Sequence, residues 1–192
     1  KNLTVDANIN GKSRCAAIAT YNYGTISGCT TKGTIASAGR GGGIAGENYG
    51  TVEHCANEAK VTSSGYNLIG GITGYNIGTI NCCMNRGIIE NTGSSGTETG
   101  GIAGINYRTI SNSYNLSAVT GKGHVGGIVG EQSNGSVINC YNTANVTSTG
   151  SATLGSDTYP SITGAIVGYN LNGSFTNCHY LSTLTLKRSD KD

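Results

Sequence analysis

A repeat restricts the fold of this chain more than any other feature of its sequence. Residues 70–90 read GGITGYNIGTINCCMNRGIIE: a Gly pair and Ile, a Gly-Tyr-Asn turn, Gly-Thr-Ile, a Cys, an Asn and an aliphatic run. The same order of residue types returns along the whole chain, with 26 to 38 residues between equivalent positions. Repeats of this length are typical of architectures in which each unit packs mainly on its neighbours.

Aligning the units produces columns of equivalent residues, and the apolar columns are the predicted core. The sequence holds six full units, with the tail of an earlier unit at the N-terminus, which indicates a fragment of a longer chain. A third column of aliphatic residues ends each unit, the last of them Leu184. The first two core columns are Ile18, Ile44, Ile72, Ile102, Ile128 and Ile166, and then Cys29, Cys55, Cys83, Cys140 and Cys178, with Ser113 in the remaining place.

Composition excludes several classes of protein. The chain has 192 residues, enough for one domain with a sizeable core, and a net charge of +2. Disorder is disfavoured because β-branched residues recur in fixed register and the net charge is low. The same weak charge predicts no nucleic-acid binding. No apolar run is long enough to span a bilayer, so we expect no membrane insertion.

Glycine content and apolar spacing together predict an all-β fold. The 32 glycines argue against helices, because each Gly inside a helix costs about 1 kcal/mol relative to Ala. Each unit instead offers three short apolar segments separated by Gly and Asn corners. One unit alone buries too little to offset its ordering entropy, so units must stack. We therefore predict a parallel β-solenoid (β-helix) over residues 1–192, with about six coils and three short strands per coil.

The cysteines are predicted to be core residues. Five of the seven share one column, where stacked side chains point in parallel, so we expect free thiols rather than disulfides. Zinc is the alternative at the neighbouring pairs His54–Cys55 and His179–Cys178. Adjacent residues of a strand point to opposite faces, so we expect no metal ligands and no cofactor.

Two polar columns have structural interpretations. Asn residues recur at two positions of each unit, where ladders of side-chain amides would satisfy the backbone at corners. A row of Thr and Ser runs from Thr25 to Ser174, and ice binding is one possible function of such a row. Because the row is one residue wide and breaks to Ser, cross-strand pairing is the preferred interpretation.

Tyrosines are the candidate contact residues. Tyr21, Tyr75 and Tyr169 share one column, and Tyr49 and Tyr107 lie two positions further on in their units. Aromatic rows of this kind can stack on sugar rings or anchor a protein partner. They can equally cover the backbone at the corners, and the sequence leaves both roles open.

Variation in unit length is confined to one corner. The longer connections are residues 63–68, 91–99 and 147–161, and each precedes the first apolar segment of the next unit. Insertions on one face of a solenoid often mark its binding face. The longest carries Asp157 and Tyr159, which we add to the candidate contacts.

Catalysis is not expected from these residues. Some β-helices cleave polysaccharides with clustered carboxylates, but the acidic residues here do not align in adjacent coils. Glu47 and Glu131 share a column, although three coils separate them. We therefore predict no enzyme activity, and a carbohydrate-active β-helix is the alternative.

The units resemble a known repeat family. GGIAGENYGTVEHC and GGIVGEQSNGSVINCYNTANV are similar to the GLUG repeat of bacterial secreted and surface-anchored proteins. The resemblance implies an extracellular or cell-surface location and a spacer, stalk or adhesion module for host or cell-wall glycan or protein. Such repeats also occur in adhesin-like chains and in immunoglobulin A-specific metallopeptidases, so an accessory domain of such a peptidase is a further alternative. The resemblance implies no catalytic residues.

Overall fold

The chain folds as a parallel β-solenoid, as the repeat predicts. A computed structural model describes residues 1–93, 95–154 and 156–188. Short strands of successive units stack in register, and no membrane-crossing helix is found among the described residues. The first strand pairs with the fourth over eight residues, from Thr4 opposite Thr30 to Gly11 opposite Ser37.

The described residues form 31 strands, most of them two to four residues long. In chain order they are β1 (Thr4–Gly11), β2 (Ala19–Asn22), β3 (Thr25–Ser27), β4 (Thr30–Ser37), β5 (Gly41–Gly42), β6 (Ala45–Asn48), β7 (Thr51–Glu53), β8 (Ala56–Asn57), β9 (Lys60–Ser63), β10 (Tyr66–Gly70), β11 (Thr73–Asn76), β12 (Thr79–Asn81), β13 (Met84–Asn85), β14 (Ile89–Asn91), β15 (Ser95–Gly100) and β16 (Ala103–Asn106). The remaining strands are β17 (Thr109–Ser111), β18 (Tyr114–Asn115), β19 (Val119–Gly121), β20 (His124–Gly126), β21 (Val129–Gln132), β22 (Ser136–Ile138), β23 (Tyr141–Asn142), β24 (Val146–Ser148), β25 (Ala152–Leu154), β26 (Asp157–Tyr159), β27 (Ile162–Gly164), β28 (Val167–Asn170), β29 (Ser174–Thr176), β30 (His179–Tyr180) and β31 (Leu186–Arg188).

Four parallel sheets run along the solenoid. Sheet B contains β5, β10, β15, β20 and β27; sheet C contains β2, β6, β11, β16, β21 and β28; sheet D contains β3, β7, β12, β17, β22 and β29. Sheet A has twelve strands, because the long strand β4 pairs with both β8 and β9 and so joins two stacks. The solenoid makes about five turns, slightly fewer than the six predicted.

The predicted number of strands per coil is wrong: a complete coil such as residues 66–91 contributes five strands, not three. The missed strands lie mainly in sheet B, where glycines such as Gly41 and Gly42 form β5. Glycine has low strand propensity, and these strands lack apolar alternation because backbone rather than side chains packs on part of them.

The predicted core columns are confirmed. The amide of Ile72 donates to the Ile102 carbonyl at 2.9 Å, and Ile102 donates to Ile128 at 2.8 Å, so these isoleucines form one continuous file. Ile44, Ile72, Ile102, Ile128, Cys29, Cys55, Cys83 and Cys140 are buried in the same cluster, with Ile18, Ile166 and Cys178 partly buried against it. A second cluster holds the last aliphatic column, including Ile35, Val61, Ile89, Val119 and Val146.

The prediction for the last aliphatic column is wrong at one position. Leu186, not Leu184, lies opposite Val146, because Leu184 sits in a turn and its amide bonds to the carbonyl of Leu181. The C-terminal segment therefore reaches the sheet two residues later than its alternating leucines indicate.

Two ladders of buried side-chain amides run along the solenoid. The first joins Asn22, Asn48, Asn76, Asn106 and Gln132, and the second joins Thr31, Asn57, Asn85, Asn115 and Asn142. Successive members are 2.6 to 2.9 Å apart in the first ladder. Each asparagine also hydrogen-bonds backbone groups at a corner, which is the role predicted for these columns. Nε2 of Gln132, at the end of the first ladder, is buried without a hydrogen-bond partner among the described residues.

Sheets B and C pack against each other through glycine. A Cβ at Gly104 of sheet C would lie 2.7 Å from the carbonyl oxygen of Gly74 and 2.8 Å from the amide nitrogen of Ile69. Only glycine permits this approach. The corner between the two sheets is consequently tight, and it brings residues seven positions apart in the sequence side by side.

Candidate functional site

Two columns of side chains meet at the corner between sheets B and C. The sheet B column runs through Arg40, Leu68, Glu98, His124 and Ile162. The sheet C column runs through Tyr21, Glu47, Tyr75, Ile105, Glu131 and Tyr169, in the register predicted from the sequence. We call these eleven residues the corner row. In each coil, its sheet B member precedes its sheet C member by seven residues.

The N-terminal half of the corner row is centred on a buried carboxylate. Glu47 is 1% exposed and pairs with two guanidinium groups, those of Arg14 and, at 2.9 Å, Arg40. The hydroxyl of Tyr49 donates to its other oxygen at 2.6 Å. Burial alone would raise the pKa of Glu47, but the Tyr49 hydroxyl and the two guanidinium groups outweigh it and lower that pKa. The carboxylate is thus held ionised as an anchor for both arginines.

The anchored arginines lie over tyrosines. The guanidinium of Arg40 is 4.3 Å from the centre of the Tyr75 ring, and that of Arg14 is 5.7 Å from the Tyr21 ring. Both are cation–π contacts. Tyr21 is 45% exposed, so a flat aromatic face and a charged group are presented together.

The tyrosines two positions further on extend this surface. Tyr49 stacks on Tyr23 with ring centres 4.7 Å apart, and Tyr107 packs on Tyr75 at 5.4 Å. The hydrogen bond to Glu47 raises the pKa of Tyr49 to about 12, so this hydroxyl stays a donor. The structure therefore gathers Tyr21, Tyr75, Tyr49 and Tyr107 in one region, although Tyr169 lies at the other end of the row.

A cavity of about 240 Å³ adjoins the anchored arginines. It is lined by Lys12, Ser13, Arg14, Ala38, Gly39 and Arg40. Three cationic side chains here face one nearby carboxylate, that of Glu47, so the local charge is positive. A carboxylate is the natural complement of such a group, because arginine can bind it through two parallel hydrogen bonds.

The C-terminal half of the row has a different composition. Nδ1 of His124 lies 3.3 Å from a carboxylate oxygen of Glu131, and Glu98 is the neighbour of His124 in the preceding coil. The ring of Tyr169 stacks on His124 at 4.6 Å. These three ligand-type side chains are the described residues that come close enough together to hold a metal ion.

The candidate residues of the longest connection, Asp157 and Tyr159, belong to a hairpin and not to the corner row. Residues 147–161 contain an antiparallel hairpin of β25 and β26, which packs against β15 of sheet B. Asp157 is exposed on this hairpin. The side chain of Tyr159 lies outside the described part of the structure. All three longer connections link sheet A to sheet B, but the prediction that they are loops is wrong for much of the first two, since residues 66–68 belong to β10 and residues 95–99 to β15.

The cysteine column is a row of thiols packed in the core. All seven cysteines are free. Burial raises the pKa of Cys140 to about 12, and hydrogen bonding with Cys55 together with burial raises that of Cys83. His54 is exposed and has a φ of 53°, while Cys55 is buried, so this pair does not point at one site.

Sequence reasoning missed Arg14, Arg40, Glu98 and His124. For three of them a usable signal existed, because Arg40, Glu98 and His124 each stand two residues before a Gly-Gly pair and seven before a sheet C column position. Reading sheet B as a strand would have placed them in one column. Arg14 also stands seven residues before a sheet C column position, that of Tyr21, and its neighbour Cys15 pairs with Gly41, but no Gly-Gly pair follows it.

The stacked sheets and their repeated corners define a class, the parallel β-solenoid repeat proteins. Within the chain, the sequence model of the GLUG motif matches residues 121–147, which confirms the predicted resemblance to a GLUG-repeat family. The same fold occurs in the crystal structure, at 1.30 Å, of a Bacteroides ovatus protein provisionally named an immunoglobulin A1 protease. The two structures share 24% identity and a TM-score of 0.75.

Coverage limits what this similarity shows. The match includes 99% of this chain but 60% of the Bacteroides ovatus chain, so this chain spans about three fifths of that protein. At this identity the likeness establishes the fold. No curated protein matches the chain.

Proposed function

We propose that this chain is a non-catalytic β-solenoid segment of a secreted or surface-anchored bacterial protein, and that it recognises acidic glycans. The observation that carries the proposal is the pairing of Arg14 with Tyr21 and of Arg40 with Tyr75 around the buried Glu47. Aromatic faces stack on sugar rings, and guanidinium groups bind carboxylates. A sugar acid offers both partners in one residue.

Rigidity of the site supports this role. Glu47 fixes both guanidinium groups, and Tyr49 fixes Glu47 through its hydroxyl. Groups held in place before binding lose little conformational entropy on binding, which improves affinity. The stacked pair of Tyr23 and Tyr49, in adjacent coils, would add a second aromatic contact for an extended polymer.

An extracellular location is supported by the GLUG motif and by the provisional name of the Bacteroides ovatus neighbour. A spacer or stalk function is compatible with the same solenoid, and it does not require the tyrosine side chains. Binding that depends on particular tyrosines therefore separates recognition from a purely mechanical role.

A glycan array tests the proposal. We expect the wild-type protein to bind glycans that contain uronic or sialic acids, and Tyr21→Ala and Tyr75→Ala to lose most of that signal. Tyr114→Ala is the matched control, because Tyr114 stacks on Tyr141 in sheet A, away from the arginines. Equal binding by all variants, or no binding to acidic glycans, would refute recognition by this surface.

Two alternatives have their own readouts. The Bacteroides ovatus neighbour favours an accessory segment of a surface peptidase, for which the partner is a protein; binding of immunoglobulin A with no glycan signal would support it. A carbohydrate-active β-helix would depolymerise acidic polysaccharides. Turnover that is abolished by Glu131→Gln would overturn the non-catalytic assignment.

A further inference from the structure

We propose that Glu98, His124 and Glu131 form a binding site for a divalent first-row transition-metal ion. One oxygen from each carboxylate and one ring nitrogen of His124 all lie within 4.8 Å of one another. The three side chains come from three strands, β15, β20 and β21, and from two adjacent coils. An ion at this point would therefore link sheet B to sheet C and one coil to the next.

The separation of the three ligand atoms is close to what an ion requires. Nitrogen and carboxylate ligands bind such ions at about 2.0 to 2.2 Å, so two ligands of one ion lie roughly 3 to 4 Å apart. Nδ1 of His124 and Oε2 of Glu131 are already 3.3 Å apart. A carboxylate oxygen of Glu98 lies within 4.8 Å of both atoms.

Charge and burial favour a cation at this point. His124 is 4% exposed and Glu98 is 8% exposed, while the Glu131 side chain is 15% exposed. Two carboxylates held together away from water repel each other, and this repulsion is stronger than at the surface. A divalent ion placed between the two carboxylates would reduce this repulsion.

The same corner three coils earlier shows how the solenoid balances such a carboxylate. Glu47 occupies the column position of Glu131, and Arg40 occupies the column position of His124. There, the permanently charged guanidinium of Arg40, seven positions earlier in the sequence, neutralises the buried carboxylate of Glu47. In the later coil the arginine is replaced by histidine and a second glutamate joins it, which converts an ion pair into a donor set for a metal.

The donor set selects the kind of metal. Imidazole favours zinc, copper, iron and nickel, whereas carboxylates also suit manganese. One nitrogen with two carboxylate oxygens fits Mn²⁺ and Zn²⁺. The ring of Tyr169 stacks on His124 with an interplanar angle of 23°, which orients the imidazole.

This proposal departs from the expectation that the chain has no metal site. That expectation considered only His54 and His179, each beside a cysteine. The column containing His124 was not visible until the strands of sheet B were known.

Mn²⁺ is the better probe because the seven free thiols can bind Zn²⁺ but have little affinity for Mn²⁺. Metal-free protein would be titrated with MnCl₂ and the free ion followed by electron paramagnetic resonance. We expect one saturable site, and release of the bound Mn²⁺ by Zn²⁺. Glu131→Gln and His124→Gln should weaken binding at least about tenfold. Glu90→Gln and His54→Gln, both at the surface, are matched controls that should bind as wild type.

A measurement on the unaltered protein covers the case in which a variant fails to fold. The chain has three histidines, whose ring protons can be followed separately by nuclear magnetic resonance. Substoichiometric Mn²⁺ should broaden the His124 signals before those of His54 and His179, because paramagnetic broadening falls steeply with distance from the ion. Stronger broadening at another histidine, no broadening at any, or undiminished binding by folded Glu131→Gln would overturn the proposal.

Discussion

The side-chain amide of Asn85 donates a hydrogen bond to Oδ1 of Asn115 in the next coil, at a distance of 2.8 Å. The same side chain donates to the carbonyl of Gly87 and accepts from Asn57, so one residue joins three coils and a corner. Every donor and acceptor of the amide is used. The direction of the ladder is thereby fixed, since each amide must donate to the same side.

Replacing Asn85 by Asp should destabilise the fold severely. A carboxylate would face two acceptors, Oδ1 of Asn115 and the Gly87 carbonyl, in a fully buried place. We expect a loss of about 3 to 5 kcal/mol in the free energy of unfolding, the usual cost of an uncompensated buried charge. Urea denaturation at pH 7 measures it. Asn112→Asp, in the exposed row of asparagines, is the control and should change stability little; an equally mild effect of both changes would contradict the ladder's role.

Acid should weaken the corner around Glu47. Its pKa in the folded chain lies below the ordinary value of 4.5. Its contribution to stability is therefore fully present above that value and is lost as the pH falls through the folded pKa. The urea midpoint of the wild-type protein should drop more steeply below about pH 4.5 than that of Glu47→Gln.

The control for this pH dependence is Glu90→Gln. Glu90 pairs with Lys60 at the surface, with both side chains about 40% exposed, and such pairs contribute little. The Glu90→Gln protein should retain the wild-type slope. A Glu47→Gln protein with the same slope would show that the two arginines do not stabilise the carboxylate.

Thiol labelling should separate the cysteines by position. Cys82 is half-buried on the corner, whereas Cys140 is buried with a pKa raised to about 12. Since the thiolate is the reactive form, iodoacetamide at pH 8 should modify Cys82 in the native protein and leave Cys140 intact. Peptide mass spectrometry gives the labelled fraction at each site. Denaturation without a reductant should expose all seven thiols, and early labelling of Cys140 would argue against the packed column.

Sequence periodicity was sufficient for the stack and its core, but not for the corners. Core positions such as Ile72 and Cys83 are recognisable in the sequence, because inward positions accept only apolar or small side chains and the same residue types recur in each coil. Sheet B carries no such pattern, because its partner across the corner is glycine backbone. His124 and Glu98 were missed for that reason, because the glycines in their strands remove the apolar alternation that would predict a strand.

The tyrosines illustrate the opposite limit. Tyr21 and Tyr75 were placed in the correct column, since register follows directly from the alignment of units. Their arginine partners were not predicted. Arg14 contacts Glu47 from 33 residues away in the sequence, because it lies one coil before Arg40, and this column became apparent only with the strands of sheet B.

The left-handed corner before the cysteine column has a consequence for how such rods change in size. Asn2, His54, Cys82, Asn112, Asn139 and Asn177 all have φ between 50° and 56° there, and Gly28 has 66°. From this point to the next amide ladder the residue count never varies, whereas the sheet A to sheet B connection tolerates insertions. Recombination can thus duplicate or delete whole units without disturbing the coils that remain. The length of the solenoid can therefore change during evolution in steps of one coil.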